Sequence, residues 1–165
     1  LPDSLGRPAL PEHLALGHLA SALTGAGRFE EALPVCKEDL ALCEQTFGPD
    51  HLHTLNAVSH LATLLHKQGD LATAEPLMRR ALETGERVLG PEHPSTINAV
   101  GNLASLLHQK GDLATAEPLV RRALETRERI FGPGHPSTLI AAQNLGALLD
   151  QKGGHVTGEF TTCSL

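Results

Sequence analysis

Tryptophan and tyrosine are absent from the 165 residues, and phenylalanine occurs only four times. The apolar 41% of the chain is therefore nearly all Ala, Leu and Val, a composition that suits helices better than strands. Basic residues are also in deficit: 13 Lys and Arg face 19 Asp and Glu, for a formal charge of -6. A nucleic-acid partner is set aside, because gripping a phosphate backbone requires a basic stripe that displaces counterions. No apolar run approaches the roughly 18 residues of a membrane span. The opening LPDSLGRPALPEH has no basic region followed by an apolar run, so a leader is not expected. Three cysteines offer no disulfide framework or zinc-ligand spacing. Cys36 and Cys43 are seven apart on a predicted helix, about 10 Å, too far for a bridge. A cytoplasmic protein without membrane contact is the expectation.

What is present is repetition. GDLATAEPLMRRALET at 69–84 returns at 111–126 with only Met78 changed to Val120, an interval of 42 residues. Gly48-Pro49, Gly90-Pro91 and Gly132-Pro133 keep the same interval, each followed by a histidine at 51, 93 and 135. An inner-turn glycine recurs at Gly27, Gly69, Gly111 and Gly153. The predicted organisation is an N-terminal extension 1–5 and a repeat domain 6–152. Its copies lie near 6–47, 48–89, 90–131 and 132–152, the last incomplete, and an irregular tail fills 153–165.

Each copy reads as two helices. In helix A, Ile97, Val100, Leu103, Ala104 and Leu107 fall on one face; in helix B, so do Leu119, Val120, Ala123, Leu124, Ile130 and Phe131. Pro94 suits a first helical position with His93 near the cap, and Gly111 and Gly132 suit left-handed positions past helix ends. Small residues mark the expected seams, Ala62 and Ala104 in helix A, with Ala74, Ala81, Ala116 and Ala123 in helix B. A hairpin this thin cannot bury both faces alone, so hairpins must stack. The expected class is all-α, a right-handed superhelical solenoid of antiparallel helix pairs. Pro118, inside helix B, should give a slight kink or a later regular start.

The Leu-Ala pair of helix A, Leu107, Ala116 and Ala123 match the tetratricopeptide spacing, with a period longer than the usual 34 or so. HPSTINAVGNLASLL with GDLATAEPLVRRALETRERIFGP closely resembles the repeats of kinesin light chains and nephrocystin-like proteins, over about residues 6 to 152. The resemblance implies a non-enzymatic adaptor that takes an extended peptide or a partner helix in a groove lined by A helices. Position by position it points to Asn102 and Asn144, with His18 and His60 at the equivalent places in the first two copies. One turn earlier it points to Asn56 and Asn98, where Leu14 and Ile140 stand elsewhere. Thr63, Ser105, His66 and His108 should face the groove as well. No Lys or Arg occupies the two early ladder positions, which disfavours a clamp for a terminal carboxylate. Kinesin light chains favour tryptophan-acidic peptides, so an acidic ligand is one expectation; solvated arginine pairs at Arg79-Arg80 and Arg121-Arg122, with Glu117–Arg121 and Glu125–Arg129 at helical spacing, are the plainer reading.

Sharper chemistry finds little support. His51, His93 and His135 sit where a capping role is expected. His60 and His66 lie on different helix faces, so neither metal nor cofactor is expected. Cys36 aligns with Met78 and Val120 and reads as a small core hydrophobe. No nucleophile elbow, phosphate loop or dinucleotide fingerprint is present. After Gly153, GHVTGEFTTCSL has lost the apolar period, leaving helix A of copy four, with Leu145, Leu148 and Leu149, without its partner. Two other readings follow: self-assembly through that uncapped edge, and a regulatory piece of a larger motor or signalling protein.

Overall fold

The computed structural model describes residues 10–159, with side chains for 13–153. The expected extension 1–5, the start of copy one and the last six residues of the tail lie outside that range. Seven helices follow in order: α1 (Leu10–Gly25), α2 (Phe29–Phe47), α3 (Leu52–Gln68), α4 (Leu71–Val88), α5 (Pro94–Gln109), α6 (Leu113–Phe131) and α7 (Pro136–Glu159). No strand occurs among the described residues.

Helix ends obey the repeated punctuation. The side chains of Asp70 and Asp112 accept hydrogen bonds from the Thr73 and Thr115 amides, each at 3.1 Å, satisfying donors that the first turn leaves free. At the start of α2 the same register holds Arg28, which has no side-chain cap bond and pairs with Glu31 instead. His51, His93 and His135 accept from the amides two residues on, at 3.2 Å in each case, so these histidines are caps. Gly69 and Gly111 take φ of 86° and 80°, a region that only glycine enters freely. Pro34, Pro76 and Pro118 all lie inside helices, and α4 and α6 nonetheless begin directly after their aspartate caps. The later start expected around the proline does not occur. One missing N–H near an end costs less than unwinding a turn that an aspartate already caps.

The chain ends differently from the sequence expectation. Gly153 takes no left-handed turn, and α7 continues through it to Glu159, so 153–159 is helical and not irregular. At Gly69 and Gly111 the turn is followed by an apolar-periodic helix that can dock. The sequence after Gly153 carries no such apolar period.

The residues cluster into two compact units, one up to Ala99 and one from Val100. In the first, α1 packs on α2, α2 on α3 and α3 on α4. Leu55, Val58, Ala81 and Ala99 form a buried cluster, against which Leu40, Leu77, Leu82 and Leu89 pack. Thr54, fully buried, donates its hydroxyl to the carbonyls of Gly48 and Cys43 at 2.6 and 3.2 Å, tying the start of α3 to the end of α2. In the second unit α6 packs on α7. Leu106 and Leu148 are fully buried there, as Leu64 is in the first unit, one leucine at the same register in copies two, three and four. The seam alanines behave as spacers: Ala62, Ala74, Ala81, Ala104, Ala116 and Ala123 are all buried. Ile130 and Phe131, expected on the apolar face of helix B, are instead 40% and 43% exposed, as is Val88 at 42%. They fall in the last turn of their helices, where Phe131 stacks on His135 at 4.8 Å between centroids.

Candidate functional site

The expected groove residues divide between two cavities. In the first unit one is lined by His13, Leu14 and His18 of α1, Asp39 of α2, and His53, Asn56 and His60 of α3. Asn56, His60 and His18 are thus brought together as the repeat register implies. Neighbouring atoms desolvate the His53 and His60 rings and His13 lies close by; both effects hold their pKa below the usual imidazole value. In the second unit Ser105 and His108 of α5 and Asn144 of α7 share a cavity with Val120, Ala123 and Arg127 of α6. His108 Nε2 meets Gln151 Oε1 at 2.6 Å, which orients the ring. Thr63 is half-buried, Asn98 exposed and Asn102 half-buried, and none of the three lines either cavity.

The repeated arginines behave as the plainer reading expects. Arg79 and Arg121 bond Glu75 and Glu117 one turn back at 2.8 and 2.9 Å, with Lys152 reaching Glu117 at 2.6 Å. Arg80 bonds Glu44 across to α2 at 2.7 Å. Sequence reasoning missed a different cation. Arg127 is half-buried in the cavity with Ser105, His108 and Asn144, and burial pulls its pKa below the usual guanidinium value. A Cβ added at Gly101 would sit 3.4 Å from its Nη2, so the guanidinium runs along the small-residue face of α5. No carboxylate among the described residues forms an ion pair with it. The signal was available in the register: position 127 is Arg where copies one and two hold Cys43 and Gly85.

A second missed group lies beneath the first cavity. His13 Nδ1 is 2.8 Å from Asp39 Oδ1 and 3.0 Å from Cys43 Sγ, and Sγ is 3.7 Å from the same Oδ1. All three side chains are buried. Burial, reinforced by the Asp39 carboxylate, pushes the Cys43 thiol up to about 12, so it is held as S–H. His13 Nε2 is buried without a partner among the described residues. Rings crowd round the group: His53 lies 4.6 Å from His13 between centroids and Phe47 5.7 Å, both edge to face. Cys36, by contrast, is 1% exposed and packs as the expected core hydrophobe.

Stacked antiparallel helix pairs with capped starts, glycine turns and alanine seams define a helical-repeat scaffold. Three overlapping stretches, 12–83, 54–128 and 98–156, match the tetratricopeptide repeat. The chain belongs to the tetratricopeptide repeat family, whose repeats mediate protein–protein interaction on a non-catalytic scaffold. Solved structures agree on the fold. A Podosopora anserina protein described as a candidate kinesin light chain with nearly identical TPR-like repeats is similar at 22% identity and a TM-score of 0.79, over 84% of this chain and 66% of that one. BtubC (BKLC) from P. vanneervenii is similar at 22% and 0.79, over 89% of this chain and 59% of that one. The chain therefore spans less than two thirds of the length of these proteins. No curated protein sequence matches the chain. Among the described residues no helix is long and apolar enough to cross a membrane.

Proposed function

We propose that this chain is a protein-binding adaptor of the cytoplasm, taking an extended acidic peptide on the faces of its A helices. The observation that carries the reading is Arg127, a desolvated cation without an ion-pair partner among the described residues, set among Ser105, His108 and Asn144. A buried guanidinium favours a carboxylate brought by a ligand, because charge-assisted bonds strengthen out of water. Ser105 and Asn144 supply polar groups for peptide backbone, and in the first unit Asn56 and His60 offer the same chemistry. Thr63 and Asn98 in the first unit, and Asn102 in the second, are proposed as further ligand contacts within their own units. The test is fluorescence anisotropy with acidic, neutral and basic peptides on the wild type and Arg127→Gln. Acidic peptides should bind best and lose about tenfold or more in the variant, the loss expected for one charged hydrogen bond. Equal binding of all three classes, or an unaffected variant, sinks the reading. A second reading, self-association through α7, draws on its exposed Leu139, Ile140 and Leu149.

A further inference from the structure

We infer that His13, Asp39 and Cys43 form a zinc site that fastens α1 to α2. An imidazole, a carboxylate and a thiol from two helices place one donor atom each within 4.8 Å of one another, all buried, the one such group among the described residues. A triangle with sides of 2.8, 3.0 and 3.7 Å has its centre about 1.9 Å from each corner. A tetrahedral ion sits slightly above the plane of three of its ligands. Raised in that way it lies about 2.0–2.3 Å from nitrogen, oxygen and sulfur, the range of zinc bonds, and the two shorter sides need to open by about half an ångström to reach tetrahedral angles. Hydrogen bonding accounts for the triangle less well. The Nδ1–H and the Cys43 thiol can both donate to Asp39 Oδ1, but the 3.0 Å approach of Nδ1 to Sγ then has no proton between its atoms. Mixed imidazole, carboxylate and thiolate donors select zinc over calcium or magnesium, which take oxygen alone. His13 and Asp39 also line the cavity beside His53, from which a water could supply the fourth ligand.

The repeat supplies an independent argument. Forty-two residues on, the registers of His13, Asp39 and Cys43 hold Leu55, Ala81 and Gly85; another period on they hold Ile97, Ala123 and Arg127. Leu55 and Ala81 lie in one buried apolar cluster. Copy one thus replaces a core contact with three metal-ligating side chains at the one place where they meet. Copy one differs from copy two at most positions, and three of its departures, all at buried positions, converge on a single point.

The same comparison suggests a variant designed to keep the fold. His13→Leu/Asp39→Ala writes copy two's residues into copy one, Cys43→Ser removes the thiolate, and Cys36→Val alters a neighbouring thiol that takes no part. The reduced full chain, stripped of metal, is titrated with zinc against a chromophoric chelator, and separately with cobalt(II). The wild type should bind one zinc, and its cobalt form should show thiolate-to-metal charge transfer with the intense visible bands of a tetrahedral site. Cys36→Val should keep both properties. Cys43→Ser and the double variant should bind zinc about 100-fold more weakly or worse, beyond the loss typical of outer-shell changes, and lose the charge-transfer band. A wild type that binds zinc no better than the double variant, or a cobalt spectrum without the thiolate band, overturns the proposal and leaves a plain buried hydrogen-bonded cluster.

Discussion

With a chelator present, the His13–Asp39 pair offers a thermodynamic cycle whose outcome the structure fixes in sign. The His13 side chain is 9% exposed and that of Asp39 2%, so solvent cannot take over from a lost partner. His13→Leu strands a buried carboxylate against the Cys43 thiol alone and should cost about 3–5 kcal/mol. Asp39→Ala removes the acceptor from a buried ring and should cost about 1–3 kcal/mol. Simple addition puts the double variant about 4–8 kcal/mol below the wild type. Yet the double variant recreates the Leu55 and Ala81 pairing that packs without polar groups in copy two. Replacing both members of a buried pair with apolar residues is often neutral, or stabilising by about 1–4 kcal/mol. The double variant should therefore lie within about 1 kcal/mol of the wild type, or above it, with the two sites coupled because they touch. Urea unfolding followed by far-UV circular dichroism reads all four proteins, and an unchanged m-value keeps the comparison valid. A double variant as unstable as the sum of the singles would refute the argument that the register, and not the pair, holds copy one together.

Two further outcomes separate packing from backbone effects. Leu106→Ala should lose about 3–5 kcal/mol, from three carbons at ~0.8 kcal/mol each plus the cavity left behind; the side chain is fully buried, whereas Leu149→Ala, 37% exposed, should lose less than about 1 kcal/mol by the same urea measurement. Gly132 has φ of 86° with open space where a Cβ would stand, so Gly132→Ala should cost about 1–2 kcal/mol through the backbone alone. Gly146, helical and equally unobstructed, should gain about 0.5–1 kcal/mol from the same change, and thermal melts of the two variants should move in opposite directions.

The helices, their caps and their alanine seams were legible because each is a local rule repeated three times. Asp70 and Asp112, or Leu64, Leu106 and Leu148, report the same requirement independently, so chance patterns average out. The sites were less legible for the same reason. Attention to what recurs led to Asn102, Ser105 and His108, of which Ser105 and His108 line a cavity and Asn102 does not. His13, Asp39, Cys43 and Arg127 do not recur, and their meaning depends on which helices meet around them. The histidines that do recur, 51, 93 and 135, proved to be caps. α7 was misread past Gly153 because a turn glycine enforces a turn only when the segment after it has somewhere to pack.

The glycines with left-handed backbone, Gly27, Gly48, Gly69, Gly90, Gly111 and Gly132, carry a consequence for how such a chain changes over time. They form two interleaved series, each with the 42-residue spacing of the repeat. Duplication or loss of one whole unit, with nearly identical stretches as the crossover points, leaves every remaining turn in its place. A change of another length alters the span between one turn glycine and the next. The length of this scaffold is thus free to vary in whole helix pairs and resists variation in anything smaller, while single substitutions such as the one that put Arg127 at its register can alter one unit without disturbing the next.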